Sequence, residues 1–100
     1  MATKLKTFRK VLGSASAEAL SSSRILTQGF AVRSELTNDI LYIGDSTVTA
    51  LTGMFLQAGE SNEKYARALA RGYSTTYDLS KIYIIGTSGN AVRVEYEADE

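Results

Sequence analysis

Apolar and polar residues alternate over short stretches of this chain, which predicts β-strands that each bury one face. The clearest stretch is 91–97, where two valines and a tyrosine would face a core and an arginine and two glutamates would face solvent. The loop before it, 86–90, is rich in glycine and polar residues. We therefore expect 81–85 and 91–97 to form a hairpin.

Residues 24–37 alternate in the same way, as one strand bent at Gly29 or as two strands. This alternation places Leu36 on the buried face. The other candidate strands are shorter and lie between turn-forming residues; they are 4–12, 18–20, 40–43, 54–56 and 75–79. Six to eight short strands at this spacing predict an all-β fold, a small antiparallel β-sandwich that is jelly-roll-like.

One stretch interrupts the strand pattern and predicts one short inserted helix around Asn62-Arg71. Ser61 or Asn62 can cap its first turn, and Gly72 follows its end. Two glutamates each precede a basic residue by four positions, which is the favourable order for ion pairs on a helix. A helix this short must pack against the rest of the protein to be stable.

The composition is that of one ordinary globular domain, with 100 residues, 44% hydrophobic and 22% charged. The formal net charge is zero, so the chain has no overall field to attract nucleic acid or an anionic membrane. Cysteine and histidine are absent, which excludes disulfides, thiolate metal sites and the usual base near neutral pH. No apolar run reaches the roughly 20 residues that a membrane helix needs. We expect a soluble protein made in a reducing compartment.

Basic residues are concentrated at the start of the chain and acidic residues at its end. We predict residues 1–12 as a basic N-terminal arm or edge strand and residues 13–100 as the β-sandwich domain. The two ends either attract each other or each contact a neighbouring subunit. Removing residues 1–10 should then leave the fold intact and weaken assembly. The candidate partner contacts are the basic residues of this segment and of one side of the predicted helix: Lys4, Lys6, Arg9, Lys10, Lys64, Arg67 and Arg71.

Residues 44–46, Gly-Asp-Ser, follow an apolar stretch, as the nucleophilic serine does in some lipolytic hydrolases. Such a serine needs a base within hydrogen-bond reach, and a chain without histidine lacks the usual one. We therefore predict a turn here, and no catalytic residue, cofactor or metal ligand. The acidic residues lack the spacing of a calcium loop, and a strand follows the loop 86–90 where a phosphate site would need a helix or lysine.

Six tyrosines are many for a chain that has no tryptophan. Their rings suit the edge of a core, a subunit interface or a platform that binds sugar. We favour core and interface. A carbohydrate-binding module is the rival interpretation, and a row of exposed tyrosines on one sheet face would support it.

Four segments follow one another in a fixed order: I-L-Y-I-G-D-S-T-V (40–48), L-Q-A-G-E-S (56–61), D-L-S-K-I-Y-I-I-G (78–86) and A-V-R-V-E-Y-E (91–97). This order resembles small β-sandwich structural proteins of tailed bacteriophages, in which I-Y-V-G-x-S-x-V, L-x-P-G-E-S and D-L-S-x-I-Y-V-x-G precede a final V-x-V-x-Y strand. Two features depart from that pattern: the predicted helix after G-E-S and the strongly basic N-terminal segment.

The resemblance implies a non-enzymatic virion structural protein, made in the host cytoplasm. Its first expected role is a capsid decoration or cement protein that stabilises the head; the alternative is a tail or head-fibre attachment component. The implied partners are the major capsid protein or another virion protein, together with further copies of the chain, for example in a trimer. No cofactor or membrane is expected. A nucleic-acid-binding domain that uses the basic side of the predicted helix is a third and less favoured interpretation, which salt-dependent retention on DNA would support.

Overall fold

The computed structural model describes residues 3–36, 39–59, 61–62 and 76–99. Within these ranges every regular element except one 3-10 helix, Leu79–Lys81, is a strand. The strands are β1 Thr3–Val11, β2 Glu18–Ala19, β3 Leu26–Thr27, β4 Phe30–Ser34, β5 Leu41–Gly44, β6 Met54–Leu56, β7 Ser61–Asn62, β8 Tyr77–Asp78, β9 Tyr83–Ile85 and β10 Ala91–Asp99.

The strands pair in a nested, antiparallel order: β5 with β6, β4 with β7, β3 with β8, β2 with β9 and β1 with β10. The chain thus forms one long double-stranded ribbon whose tip lies between β5 and β6. The ribbon rolls up into two four-stranded sheets, sheet A in the order β1-β10-β4-β7 and sheet B in the order β2-β9-β5-β6, and a separate two-stranded sheet of β3 and β8. This arrangement is a jelly roll, so the predicted all-β sandwich is confirmed.

The core lies between the two sheets and is formed by the inward positions of the alternating strands. Val92 and Val94 of β10 are 0% and 1% exposed, as the alternation predicts, and Tyr96 packs partly buried against the core. The other members of the cluster come from both sheets and their connections: Leu12, Leu20, Phe30, Val32, Leu41, Ile43, Leu56, Leu79 and Ile84. Burial of these side chains on both inner faces holds the sheets together.

The predicted hairpin between β9 and β10 is wrong, because these strands lie in different sheets. Residues 86–90 cross from sheet B to sheet A beside the connection that leaves β1. Backbone hydrogen bonds join the two crossings, from Leu12 N to Asn90 O and from Gly89 N to Leu12 O, both 2.8 Å. Gly89 has φ +93°, the conformation expected of a glycine-rich loop. The loop composition therefore indicates a turn but does not identify the pairing partner.

Residues 24–37 form two strands, β3 and β4, separated at Gln28 and Gly29. Leu36 is not on the buried face as predicted; it is 84% exposed. Strand β4 ends at Ser34, and the alternation of faces ends with it. Similarly, Ile40 lies before the start of β5 and is 48% exposed.

The basic N-terminal segment forms β1, which is the edge strand of sheet A and pairs with β10 along its whole length from Thr3 to Val11. Phe8 packs against the core and against Tyr96, with ring centroids 6.0 Å apart in an edge-to-face arrangement. This segment is therefore part of the sheet, and removing residues 1–10 would uncover β10 rather than trim an independent arm.

The predicted inserted helix around Asn62-Arg71 lies outside the described residues except for its first position. Asn62 belongs to β7, where it pairs with Val32 of β4. An extended backbone is also what a residue that caps a helix adopts, so the inserted helix stays a prediction for the residues after Asn62.

Candidate interaction surface

The outer face of sheet A carries three arginines in one row. The register aligns Arg9 of β1 with Arg93 of β10, and Arg93 with Arg33 of β4. All three are exposed, because their neighbours along each strand point into the core. Side chains directly opposite each other on adjacent strands lie about 5 Å apart at Cβ. The row therefore places three guanidinium groups side by side.

Glu35, one residue beyond the end of β4, holds two of these arginines. Its carboxylate accepts from Arg9 Nε at 2.6 Å and Arg9 Nη2 at 3.0 Å, and also from Arg93 Nε at 3.3 Å. The Glu35 side chain is 15% exposed, whereas those of Arg9 and Arg93 are 54% and 72% exposed. One carboxylate against three guanidinium groups leaves this end of the face with a formal charge of +2.

The electrostatics of Glu35 follow from these contacts. Hydrogen bonds from Arg9, and then from Arg93, lower the pKa of Glu35 from its ordinary 4.5 to about 2, although partial desolvation opposes this. The Glu35 carboxylate in turn raises the pKa of Arg9. The carboxylate thus remains ionised at any pH at which the protein is expected to work, and it fixes the orientation of the two arginines.

The opposite end of the same face is acidic. Glu95 is aligned with Thr7 and Ala31, and Glu97 with Leu5. In the described part of the chain, the side chains of Arg33 and Glu95 have no hydrogen-bond or ion-pair partner. The face is therefore divided along the strand direction into a basic end and an acidic end, each with charge left for a partner.

A shallow depression of about 440 Å³ lies at the basic end. It is lined by Arg33, Ser34, Glu35, Leu36, Gly59 and Arg93. Gly59 has φ +75°, which favours glycine at this rim. The exposed Leu36 gives the depression an apolar side next to its two arginines.

The four predicted N-terminal contacts do not form one surface. Arg9 lies on the outer face, whereas Lys4, Lys6 and Lys10 alternate onto the other face of β1. Lys10 forms an ion pair within the chain, with Nζ 2.9 Å from Glu18 Oε1. This contact is the main cause of the lowered pKa of Glu18. Lys4 and Lys6 are exposed. The remaining predicted contacts, Lys64, Arg67 and Arg71, lie outside the described residues.

The Gly-Asp-Ser turn is stabilised by its aspartate. Asp45 Oδ1 accepts from Thr47 Oγ1 at 2.6 Å and from Thr47 N at 2.9 Å, and these bonds lower the pKa of Asp45. Val48 N donates to Asp45 O at 3.0 Å, which closes the turn. A Cβ on Gly44 would lie 2.8 Å from Val48 Cγ2, so a glycine is needed there. All three of these hydrogen bonds therefore stabilise the turn itself.

The described tyrosines do not form an exposed row. Tyr42, Tyr77, Tyr83 and Tyr96 are all partly buried. Tyr77 packs edge to face on Phe30 with centroids 5.3 Å apart, as Tyr96 does on Phe8. These four tyrosines therefore do not provide the exposed row that would support a sugar-binding platform.

A metal site and a membrane-spanning helix are both absent from the part of the chain that the structure describes. It contains no group of three or more acidic residues placed to hold a metal ion. It also contains no helix long and apolar enough to cross a membrane.

Sequence reasoning missed Arg33, Glu35 and Arg93 as members of the surface. Arg33 and Arg93 were recognisable as outward positions from the alternation, but only the register of β1, β10 and β4 shows that they meet Arg9. From the alternation alone, Glu35 is an ordinary acidic residue on the solvent face.

No family model matches this chain, and no curated protein sequence matches it. One solved structure is similar, a chain described by the words "Bacillus endospore appendages form a novel family of disulfide-linked pili". The similarity has 15% identity and a TM-score of 0.37, over 98% of this chain and 88% of the other. At this level it carries no conclusion about the fold or function of this chain.

Proposed function

We propose that the protein is a non-enzymatic structural protein of a tailed-bacteriophage virion that decorates the capsid and stabilises the head. The observation that carries the proposal is where the resembling segments lie in the jelly roll. Segment 40–48 supplies β5 and its turn, 78–86 supplies β9, and 91–97 supplies most of β10. These strands carry much of the core, so the resemblance concerns the framework of the fold and not a surface loop.

The jelly roll is also consistent with this role by analogy, because viral capsid proteins use it. Lectin domains use it too, so the fold alone does not decide the function. The outer face of sheet A favours a protein partner, since it offers long charged side chains of both signs and no exposed aromatic row among the described tyrosines. We therefore place the contact with other protein chains on sheet A.

A decoration protein of this kind acts by mass action. If it binds the assembled lattice and not the free capsid subunit, its binding free energy adds to the stability of the closed shell. A rigid sandwich suits this task, because little conformational freedom is lost on binding.

The test is binding of the purified chain to purified heads and, separately, to tails of the phage whose genome encodes it. We expect saturable co-sedimentation with heads and a higher melting temperature of the heads after binding. Binding to tails alone would instead support the attachment role. Retention on a glycan array with no binding to either particle would favour the carbohydrate-binding module and overturn the proposal.

A further inference from the structure

We infer that the outer face of sheet A pairs with the same face of a second copy of the chain about a two-fold axis. This inference rests on the expectation, implied by the resemblance, that the chain associates with further copies of itself, and it is independent of the virion. A two-fold interface brings one surface against itself, so that surface must be self-complementary. The division of this face into a basic and an acidic end meets that requirement.

The positions of the charges define how the two copies would lie. The two-fold axis lies in the plane between the two faces, at right angles to the strands and between the positions of Arg93 and Glu95. Rotation about this axis reverses the strand direction in the second copy. The arginine row of the first copy then lies over Glu95 of the second, and the arginine row of the second lies over Glu95 of the first. Each Arg33, which has no ion-pair partner in the described part of the chain, comes within reach of a Glu95 that also has none.

The sizes of the side chains fit the same arrangement. Packed sheets lie about 10 Å apart, so a long side chain on one sheet needs a short one opposite it. All three side chains of the arginine row are long. In the row of Glu95, the neighbouring side chains are short: Thr7 on β1 and Ala31 on β4. Arg9 of one copy therefore faces the exposed Thr7 of the other, which leaves room for it beside Glu95. Ala31, which Arg33 would face, is 6% exposed, so Arg33 reaches Glu95 across a position that is already covered.

The expected affinity is modest. Two strands of nine residues and one of five, about 4.8 Å apart and rising about 3.3 Å per residue, cover about 370 Å² per copy, compared with about 800 Å² per partner in an interface of standard size. An interface this small and this charged should depend on protein concentration and weaken with salt.

Charge reversal with rescue tests the inference. Arg33→Glu makes the basic end less basic, and Glu95→Arg makes the acidic end less acidic; both residues are exposed. In sedimentation velocity at about 0.05 M salt, we expect each variant alone to self-associate at least about tenfold more weakly than the wild type. An equimolar mixture of the two should restore association, because each altered end then meets its opposite. Lys81→Glu, an exposed charge reversal away from sheet A, is the matched control and should behave as wild type.

Other outcomes would overturn the inference. An oligomer that neither variant weakens, or a mixture that does not restore association, would exclude this surface while leaving a homo-oligomer in place. A wild type that stays monomeric at all concentrations would exclude self-pairing itself, and head binding would still be decided by co-sedimentation. If the chain is monomeric and both variants lose head binding, the face serves a capsid protein instead. Circular dichroism of each variant verifies that it is folded.

Discussion

Arg9 and Glu35 lie 26 residues apart in the sequence and meet through two hydrogen bonds, from Nε to Oε2 at 2.6 Å and from Nη2 to Oε1 at 3.0 Å. Arg9 is on the edge strand β1 and Glu35 follows β4, so the pair spans β10, which lies between them. Ala91 of β10 is 1% exposed, and its short side chain leaves room for the contact. The pair therefore ties the edge strand to the centre of sheet A and orients the basic end of the candidate surface.

Replacing Glu35 with Gln should change the pH dependence of stability. The pKa of Glu35 is lowered in the folded protein from 4.5 to about 2, so folding favours its ionised form. Its contribution is complete above about pH 5 and is lost as the pH falls through 4 towards 2. We expect Glu35→Gln to be less stable than the wild type at pH 7 and the difference to shrink towards pH 2, as measured by urea unfolding.

A double-mutant cycle provides the control. With Arg9→Gln in the background, Glu35→Gln should cost less at pH 7, because the largest cause of the pKa shift has been removed. An unchanged cost would mean that Glu35 acts through some other contact.

Removing residues 1–10 should impair folding, in contrast to the expectation from the sequence. The deletion removes most of β1, the contacts of Phe8 with the core, and the Arg9 side of the Glu35 pair. Neutralising the exposed lysines with Lys4→Gln and Lys6→Gln should leave the melting temperature within a few degrees. A cooperative wild-type melting curve for the deletion would show that β1 is dispensable after all.

The lysine variants also separate the two faces of β1. If the lysine face contacts the capsid, the double variant should bind heads more weakly while its self-association is unchanged. Loss of self-association in this variant would place the contact between copies on the lysine face and not on the outer face of sheet A.

Thr27→Val should lower the free energy of unfolding by about 1–3 kcal/mol, because it leaves buried backbone groups without a partner. Thr27 is 3% exposed, and its hydroxyl lies 2.8 Å from Gly29 O and 2.7 Å from Glu97 O, with one proton for the two carbonyls. It also accepts from Gly29 N at 3.2 Å. Thr27→Ser keeps the hydroxyl and should cost about 1 kcal/mol for the lost methyl group. A loss in Thr27→Ser with none in Thr27→Val would show that the methyl group, and not the hydroxyl, matters.

The strands and the general fold could be predicted from the sequence because side-chain alternation records which face of a strand is buried. Phe30, Val32, Val92 and Val94 follow it closely. The pairing of strands could not be predicted in the same way, because the backbone hydrogen bonds that decide it are common to all residues. The β9–β10 error shows this: a glycine-rich loop serves equally well as a hairpin turn or as a crossing between sheets.

The candidate surface was harder to predict for the same reason. Arg9 was recognised from the local concentration of charge, but Arg33 and Arg93 are far from it in the sequence and come together only through the register of three strands. Lys10 lies on the other face of β1 from Arg9 and forms an ion pair with Glu18, which the sequence does not indicate because the face on which a residue lies depends on the phase of β1. Its contact with a partner stays a prediction.

Ser46→Ala should have no effect on ester hydrolysis, because we expect the wild type to have no such activity. The turn around Ser46 supplies no base, and the nearby Asp45 carboxylate is engaged by Thr47. The assay uses purified protein with p-nitrophenyl acetate and compares the rate with buffer alone. Hydrolysis that is saturable and lost in Ser46→Ala would contradict a non-enzymatic role. Asp45→Ala, in contrast, should lower the melting temperature, since it removes both hydrogen bonds from Thr47 to the Asp45 carboxylate.

Two glycines of the crossing loop should respond differently to alanine, because they are required for different reasons. A Cβ on Gly86 would overlap Leu41 Cδ2 and lie 3.4 Å from Leu12 Cδ1, and both leucines are 1% exposed. Gly86→Ala should therefore cost about 1–3 kcal/mol through overpacking. A Cβ on Gly89 would meet nothing within 4 Å, but its φ of +93° is unfavourable for alanine. Gly89→Ala should cost about 1 kcal/mol.

The asparagine variants distinguish the two causes by urea unfolding. Gly89→Asn should be less destabilising than Gly89→Ala, because asparagine tolerates positive φ better than alanine does. Gly86→Asn should be more destabilising than Gly86→Ala, because it adds volume and a polar group to the same packed site. The reverse order at Gly86 would mean that the loop can move away from the core, and that the crossing between the sheets is less rigidly held than its hydrogen bonds to Leu12 indicate.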